Sequence, residues 1–188
     1  RSVVVEVGSF DGVTYSNTAL FEARLGARAV LIEPSPKRAR QSANLRAEAQ
    51  VFQVAIDTEF DVKEFAGDQA VSGLLERMSV RYRESWGIDS LSRFFVPTLP
   101  VGHLLERVGV ERVSFMSIDV QGSELEVLHS LGSEIQVDLF CIEMESHFPE
   151  KDDACREWLN ERGFVFIRRL GVSEIWVNPG VLSSGNLI

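Results

Sequence analysis

Short apolar runs that alternate with amphipathic stretches, a glycine-flanked loop directly after the first run, and a strand–turn–strand ending together predict an α/β fold. The expected architecture is a Rossmann-like, doubly wound, mostly parallel seven-stranded sheet with a C-terminal antiparallel hairpin. Val3 to Val7 is nearly all apolar and ends in glycine, as a central strand covered on both faces should. Residues 14–25 then show helical spacing, with Leu20, Phe21 and Leu25 on one side and Gly26 as the stop. Ala29 to Ile32 reads as strand, Pro36 to Ala47 as helix, Val51 to Ala55 as strand, Val101 to Val108 as helix and Val113 to Ile118 as strand. That rhythm predicts right-handed βαβ crossovers. Leu125, Leu128 and Leu131 after Gly122 predict a helix, Val137 to Ile142 a strand, and Asp152 to Arg162 a further helix. Phe164 to Ile167, a turn at Gly171, and Ser173 to Val177 form the closing hairpin, with Trp158 and Trp176 expected in the core.

The chain has 188 residues, which fits a single domain over residues 1–188. The stretch from about 67 to 100 breaks the rhythm with Gly73, Gly87, Pro97 and Pro100 among the aromatics Tyr82, Trp86, Phe94 and Phe95, and is expected to be an insertion or lid. Hydrophobic residues make up 45% and charged residues 25% of the sequence, an ordinary globular balance. The net charge of -9 sets up a field that repels phosphate backbones and anionic surfaces, so neither nucleic acid nor a membrane is an expected partner. No apolar run is long enough to span a bilayer, and no leader precedes the first strand. Two cysteines without metal-ligand spacing fit a reducing, cytoplasmic setting. The chain opens at Arg1 rather than at methionine, so a longer parent protein is also expected.

Five segments carry chemistry. In EVGSFDG, Gly8 and Gly12 flank the first strand–helix turn, where glycine lets a ligand approach the backbone; Ser9 and Asp11 lie in the same loop. Glu6 stands inside a valine run, and a buried carboxylate there needs compensation from a cationic ligand group or from loop N–H donors. In LIEPS, Glu33 ends the second strand 25 positions after Gly8, where a carboxylate accepts hydrogen bonds from a ribose diol or else caps the helix at Pro36. In VAIDT, Ala55 and Asp57 fall beside the expected adenine position, Asp57 being either a partner of the exocyclic amine or a solvated loop residue. Asp119, at the carboxyl end of the fourth strand, is a candidate base, sulfonium partner or metal ligand, or an N-cap. CIEMESHFPE adds Glu143, Glu145 and His147 as acceptors close to Asp119, with no spacing that establishes a metal site. Lys37, Arg38 and Arg40 read as a solvated helix face, and His103 and His129 as structural.

Together, EVGSFDG, LIEPSPK, VAIDT, Ser72 to Leu74, SIDVQGSE and CIEME resemble the FkbM-type methyltransferase family over nearly the whole chain. The most specific part is the segment holding Asp119, Gln121, Gly122 and Glu124; Ser117 stands where the family often has lysine. The resemblance implies a class I domain that binds S-adenosyl-L-methionine through Glu6, Gly8, Gly12 and Glu33. It also implies methyl transfer to a hydroxyl oxygen; the leading reading is transfer to a small hydroxylated acceptor with Asp119 or His147 assisting deprotonation, and Glu143 as a further catalytic candidate. Two other readings share the geometry: a small NAD-binding oxidoreductase, against which the G-x-x-x-G spacing argues, and a methyltransferase-like domain that binds without turnover.

Overall fold

The first strand, β1 (Val3–Val7), lies at the centre of a sheet, with Val4, Val5 and Val7 all buried. The computed structural model describes residues 1–144 and 148–183. After β1 come α1 (Ala19–Leu25), β2 (Arg28–Ile32), α2 (Pro36–Leu45) and β3 (Gln50–Phe52). The next stretch holds β4 (Ala55–Ile56), β5 (Asp61–Ala66), β6 (Gly73–Leu74), α3 (Val80–Trp86) and β7 (Arg93–Leu99). The second half runs α4 (Val101–Arg107), β8 (Arg112–Val113), β9 (Phe115–Ile118), α5 (Glu124–His129), β10 (Gln136–Val137) and β11 (Leu139–Glu143). It ends with α6 (Pro149–Glu161), β12 (Val165–Leu170), β13 (Ser173–Val177) and α7 (Pro179–Ser183).

Seven strands form the main sheet in the order β12-β13-β11-β9-β1-β2-β3. Five run parallel, and β13 pairs antiparallel with both β11 and β12, which is the predicted closing hairpin. The larger core packs between the sheet and the helices that follow β7 and β11, and includes Leu105, Met116, Leu128, Phe140, Trp158 and Trp176. A smaller cluster of Val4, Ala29, Leu31 and Phe115, with Phe21 packed against it, lies on the other face.

Several expectations need correction: the strands expected over Val113 to Ile118 and Val137 to Ile142 are each split, with β8 and β10 pairing in a separate two-stranded sheet. The helix predicted over residues 14–25 starts only at Ala19, and Leu20 and Leu25 are exposed. Residues 16–18 are held out of the helix because Ser16, Asn17 and Thr18 hydrogen-bond to the Glu6 carboxylate. The single strand expected over Val51 to Ala55 is two: β3 stays in the main sheet, while β4 pairs with β7. The stretch from about 67 to 100, expected as an insertion or lid, contributes β6 and β7 to a second sheet, in which both run antiparallel to β5. Its β4 and β6 are only two residues long and its β7 carries Pro97, so periodicity did not announce it. Among the described residues, no helix is long and apolar enough to cross a membrane.

The strand ends fit together through glycine. Gly8 has φ +86, and a Cβ there would lie 1.8 Å from the Asp119 carbonyl oxygen. Gly26 has φ +62 but open space around it. Gly8→Ala is therefore expected to lower the unfolding free energy by on the order of 4 kcal/mol, combining the left-handed penalty with a backbone clash, against about 1 kcal/mol for Gly26→Ala. Urea unfolding of the two variants checks the contrast.

Candidate active site

The site starts from a buried charge. Glu6 is 3% exposed in the middle of β1. Its oxygens accept from Ser16 Oγ at 2.7 Å, Asn17 N at 2.7 Å and Thr18 Oγ1 at 2.6 Å, with Arg46 Nη1 at 3.5 Å. Burial raises its pKa, and these partners oppose the shift. Glu6 thus ties the loop after β1 to the sheet, with loop donors as its principal compensation. Arg46, the residue that closes α2, was not foreseen from the sequence.

Above the strand ends lies a cavity of about 560 Å³, counted to its open mouth. Gly8, Glu33 and Asp119 line it from the main sheet, and Ala55, Phe65 and Leu74 from the second sheet. Glu33 is 6% exposed; its oxygens accept from Phe10 N at 2.9 Å and Ser35 N at 2.8 Å. Two acceptor positions on a carboxylate leave lone pairs for a diol. Burial pushes the Glu33 carboxyl up to about 7. Ser123 also lines this cavity, and its buried hydroxyl has no hydrogen-bond partner among the described residues.

A second cavity, of about 340 Å³, lies beside the first. Asp119, Val120 and Ser123 face the first cavity, whereas Gln121, Gly122 and Glu124 face the second, so the loop between β9 and α5 is the wall dividing them. Gln121 and Gly122 both take positive φ, 56 and 120. The Glu124 carboxylate accepts from Val120 N at 3.3 Å and Gly122 N at 3.1 Å, and is itself paired with Lys151. Across this wall Asp119, in the first cavity, and Glu143, which lines the second, are brought together as shared acceptors of the Gln121 amide. Burial and then the Glu124 charge raise the Asp119 pKa, opposed by its hydrogen bonds with Glu143 and Gln121. Two carboxyl groups so close share a proton more readily than they both ionise.

The structure thus brings Gly8, Glu33, Ala55 and Asp119 to one cavity and Glu143 to its neighbour. Ser9, Asp11 and Gly12 lie in the loop without lining either. Ser9 is buried, Asp11 accepts from Val13 and Thr14 at the surface, and Gly12 packs on Ser42 of α2. Asp57 is turned away: it is fully buried, ion-paired with Lys63 at 2.7 Å and Arg77 at 3.0 Å. His147 and Glu145 lie outside the described residues. Arg38, expected on a solvated face, instead stacks 4.0 Å from the Phe10 ring and donates to the Asp68 carbonyl at the cavity's edge. Phe10, Phe65, Ser72, Leu74 and Ser123 were not foreseen as lining; all but Phe65 had a signal, in the segments shared with the family. Among the described residues, no group of three or more His, Cys, Asp or Glu is arranged to hold a metal ion.

A central glycine loop, acidic strand ends and an antiparallel last strand define the Rossmann-like methyltransferase fold. Residues 6–166 match the Methyltransferase FkbM domain, and the chain belongs to that family. Among solved structures, an FkbM methyltransferase from Methylobacillus flagellatus is similar at a TM-score of 0.58 and 12% identity, over 94% of this chain and 43% of that one. Aeropyrum pernix fibrillarin, solved with natively bound S-adenosyl-L-methionine, is similar at a TM-score of 0.54 and 13% identity, over 94% of this chain and 66% of that one. The chain therefore spans less than half of the first protein's length, and the likeness to both is one of fold. No curated protein sequence matches it significantly.

The Glu33 environment has a measurable consequence. A carboxyl whose pKa rises on folding from 4.5 to about 7 binds its proton more tightly in the folded chain, so its contribution to stability is greatest below 4.5 and is lost as pH rises toward 7. The unfolding free energy of the wild type relative to Glu33→Gln should fall by about 3 kcal/mol across that interval. Urea melts at stepped pH check this, and a pH-independent difference would contradict it.

Proposed function

We propose that this chain is the catalytic domain of an S-adenosyl-L-methionine-dependent methyltransferase that methylates an alcohol oxygen of a small hydroxylated acceptor. The observation that carries the reading is the placement of the Asp119–Glu143 pair across the wall between two cavities. The residues of the larger cavity fit the cofactor: Glu33 keeps lone pairs for the ribose diol, Ala55, Phe65 and Leu74 offer an apolar slot for the adenine, and the Ser123 hydroxyl is a buried polar group in need of a partner. Fibrillarin, of the same fold, holds this cofactor.

When bound, the cofactor would supply an electrophilic methyl carbon for transfer to the acceptor oxygen, with sulfur as the leaving group keeping the electron pair of the carbon–sulfur bond. Glu143 faces the second cavity, takes the acceptor's hydroxyl proton and holds it within the carboxyl pair. Asp119 faces the cofactor cavity, where its negative charge favours a cationic sulfonium. The second cavity receives the acceptor, with the exposed ring of Phe148 and the hydroxyls of Ser79 and Tyr82 on its walls. The segment from 67 to 100 serves as the cover of the site. Holding the two reactants in adjoining cavities provides much of the rate.

Calorimetric titration with S-adenosylmethionine, S-adenosylhomocysteine and NAD is the test. Both adenosyl cofactors should bind saturably, and Glu33→Ala should weaken them at least about tenfold, or about 1.4 kcal/mol. Binding of NAD alone would overturn the reading.

A further inference from the structure

The Asp119–Glu143 pair is bridged by a neutral group. Gln121 Nε2 donates to Asp119 Oδ1 and, at 2.6 Å, to Glu143 Oε2, so each proton of its amide meets one carboxyl. A glutamine amide has an accepting end and a donating end of nearly equal size, and only the donating end is useful against two carboxylates. At the other end of the amide, Tyr82 donates its hydroxyl to Gln121 Oε1. Because that oxygen can only accept, this bond orients the amide with its nitrogen toward the pair. The Val71 carbonyl, 3.3 Å from the same hydroxyl, is the longer alternative. Gln121 is held at φ 56, a conformation that costs a non-glycine residue about 1 kcal/mol, which the placement of this amide offsets.

Tyr82 lies on α3, in the segment outside the main sheet, and is 5% exposed. Its ring packs in a cluster with Ala66, Met78 and Ile88, so the hydroxyl is fixed by the packing of that segment. We propose that Tyr82 is a positioning residue: through Gln121 it keeps the Asp119–Glu143 pair supplied with two N–H donors, and so couples the placement of the 67–100 segment to the charge of the reacting pair. The proposal rests on the reading of that pair as the proton acceptor. Removing the Tyr82 hydroxyl weakens the donation, because a hydrogen bond to the amide oxygen polarises its N–H groups. The pair then takes up a proton more readily. Other titratable groups act on the pair as well: Glu33 after β2, Cys141 on β11, Glu124 on α5 and Lys151 on α6. None of them is changed by a Tyr82 variant, so they form a constant background.

The test is a pH titration of the side-chain carboxyl carbons of Asp119 and Glu143 by NMR, in wild type, Tyr82→Phe, Gln121→Met and the double variant. Tyr82→Phe keeps the ring and so the packing. It should move the titration midpoint of the pair upward by about one unit, a tenfold change in the ionisation constant. Gln121→Met should move it at least as far, and Tyr82→Phe should add nothing in that background. Superimposed curves for wild type and Tyr82→Phe, or additive shifts in the double variant, would overturn the proposal. Repeating the wild-type titration with S-adenosylmethionine separates the two claims. An Asp119 resonance indifferent to the cofactor would contradict the cofactor reading, whereas the Tyr82 dependence stands or falls without it.

Discussion

Two parallel strands, β1 and β9, end side by side with Gly8 against the carbonyl of Asp119, and the spacing of those two backbones is what both cavities depend on. A side chain at position 8 would push β9 away from β1, and with it the loop that carries Asp119, Gln121 and Glu124. The Asp119 N–H, bonded to the Val7 carbonyl at 3.0 Å, and the Gly8 N–H, bonded to Ile32 at 2.9 Å, continue the ladder to the point where the chain must turn. Beyond that point glycine takes over, and the loops separate to leave the cavity floor.

That floor concentrates acidic groups. Glu6 and Glu33 are more than nine-tenths buried and Asp119 is half-buried, and burial raises the pKa of each. Each is compensated differently: Glu6 by hydroxyls, an amide and Arg46, Glu33 by two backbone N–H groups, Asp119 by an amide and a neighbouring carboxyl. Glu6 and Ser117 are register partners on β1 and β9, and Asn17 donates to Ser117 Oγ at 2.9 Å. The cation that a lysine at 117 would bring beside Glu6 comes instead from α2 through Arg46. A carboxylate with only local partners is a structural group; one that keeps lone pairs facing a cavity, as Glu33 does, is available to a ligand.

The sheet was legible because its signals are local: an apolar run covered on both faces, a glycine at its end, an acid at the end of the next strand. Gly8, Glu33 and Asp119 line the cavity because strand ends in an open α/β sheet converge on one edge, a rule that needs no contact information, whereas Ala55 reaches it from the second sheet. Asp57 obeys the same register and yet points elsewhere, since Lys63 on β5 and Arg77 after β6 reach it from a second sheet that no periodicity announced. Arg46 is 40 positions from Glu6, and nothing near it in the chain marks it as that residue's cation. The hydroxyl of Tyr82 and the amide of Gln121 are likewise 39 positions apart, so their pairing exists only in the folded chain.

The measurement that bears most directly on the site as a whole is amide hydrogen exchange with and without S-adenosylhomocysteine. The account predicts slowed exchange in the loop from Gly8 to Gly12, at Glu33 to Ser35, around Ala55, and from Asp119 to Ser123, with β12 and β13 unchanged. Protection centred on the β12–β13 hairpin, or none in the loop after β1, would contradict it.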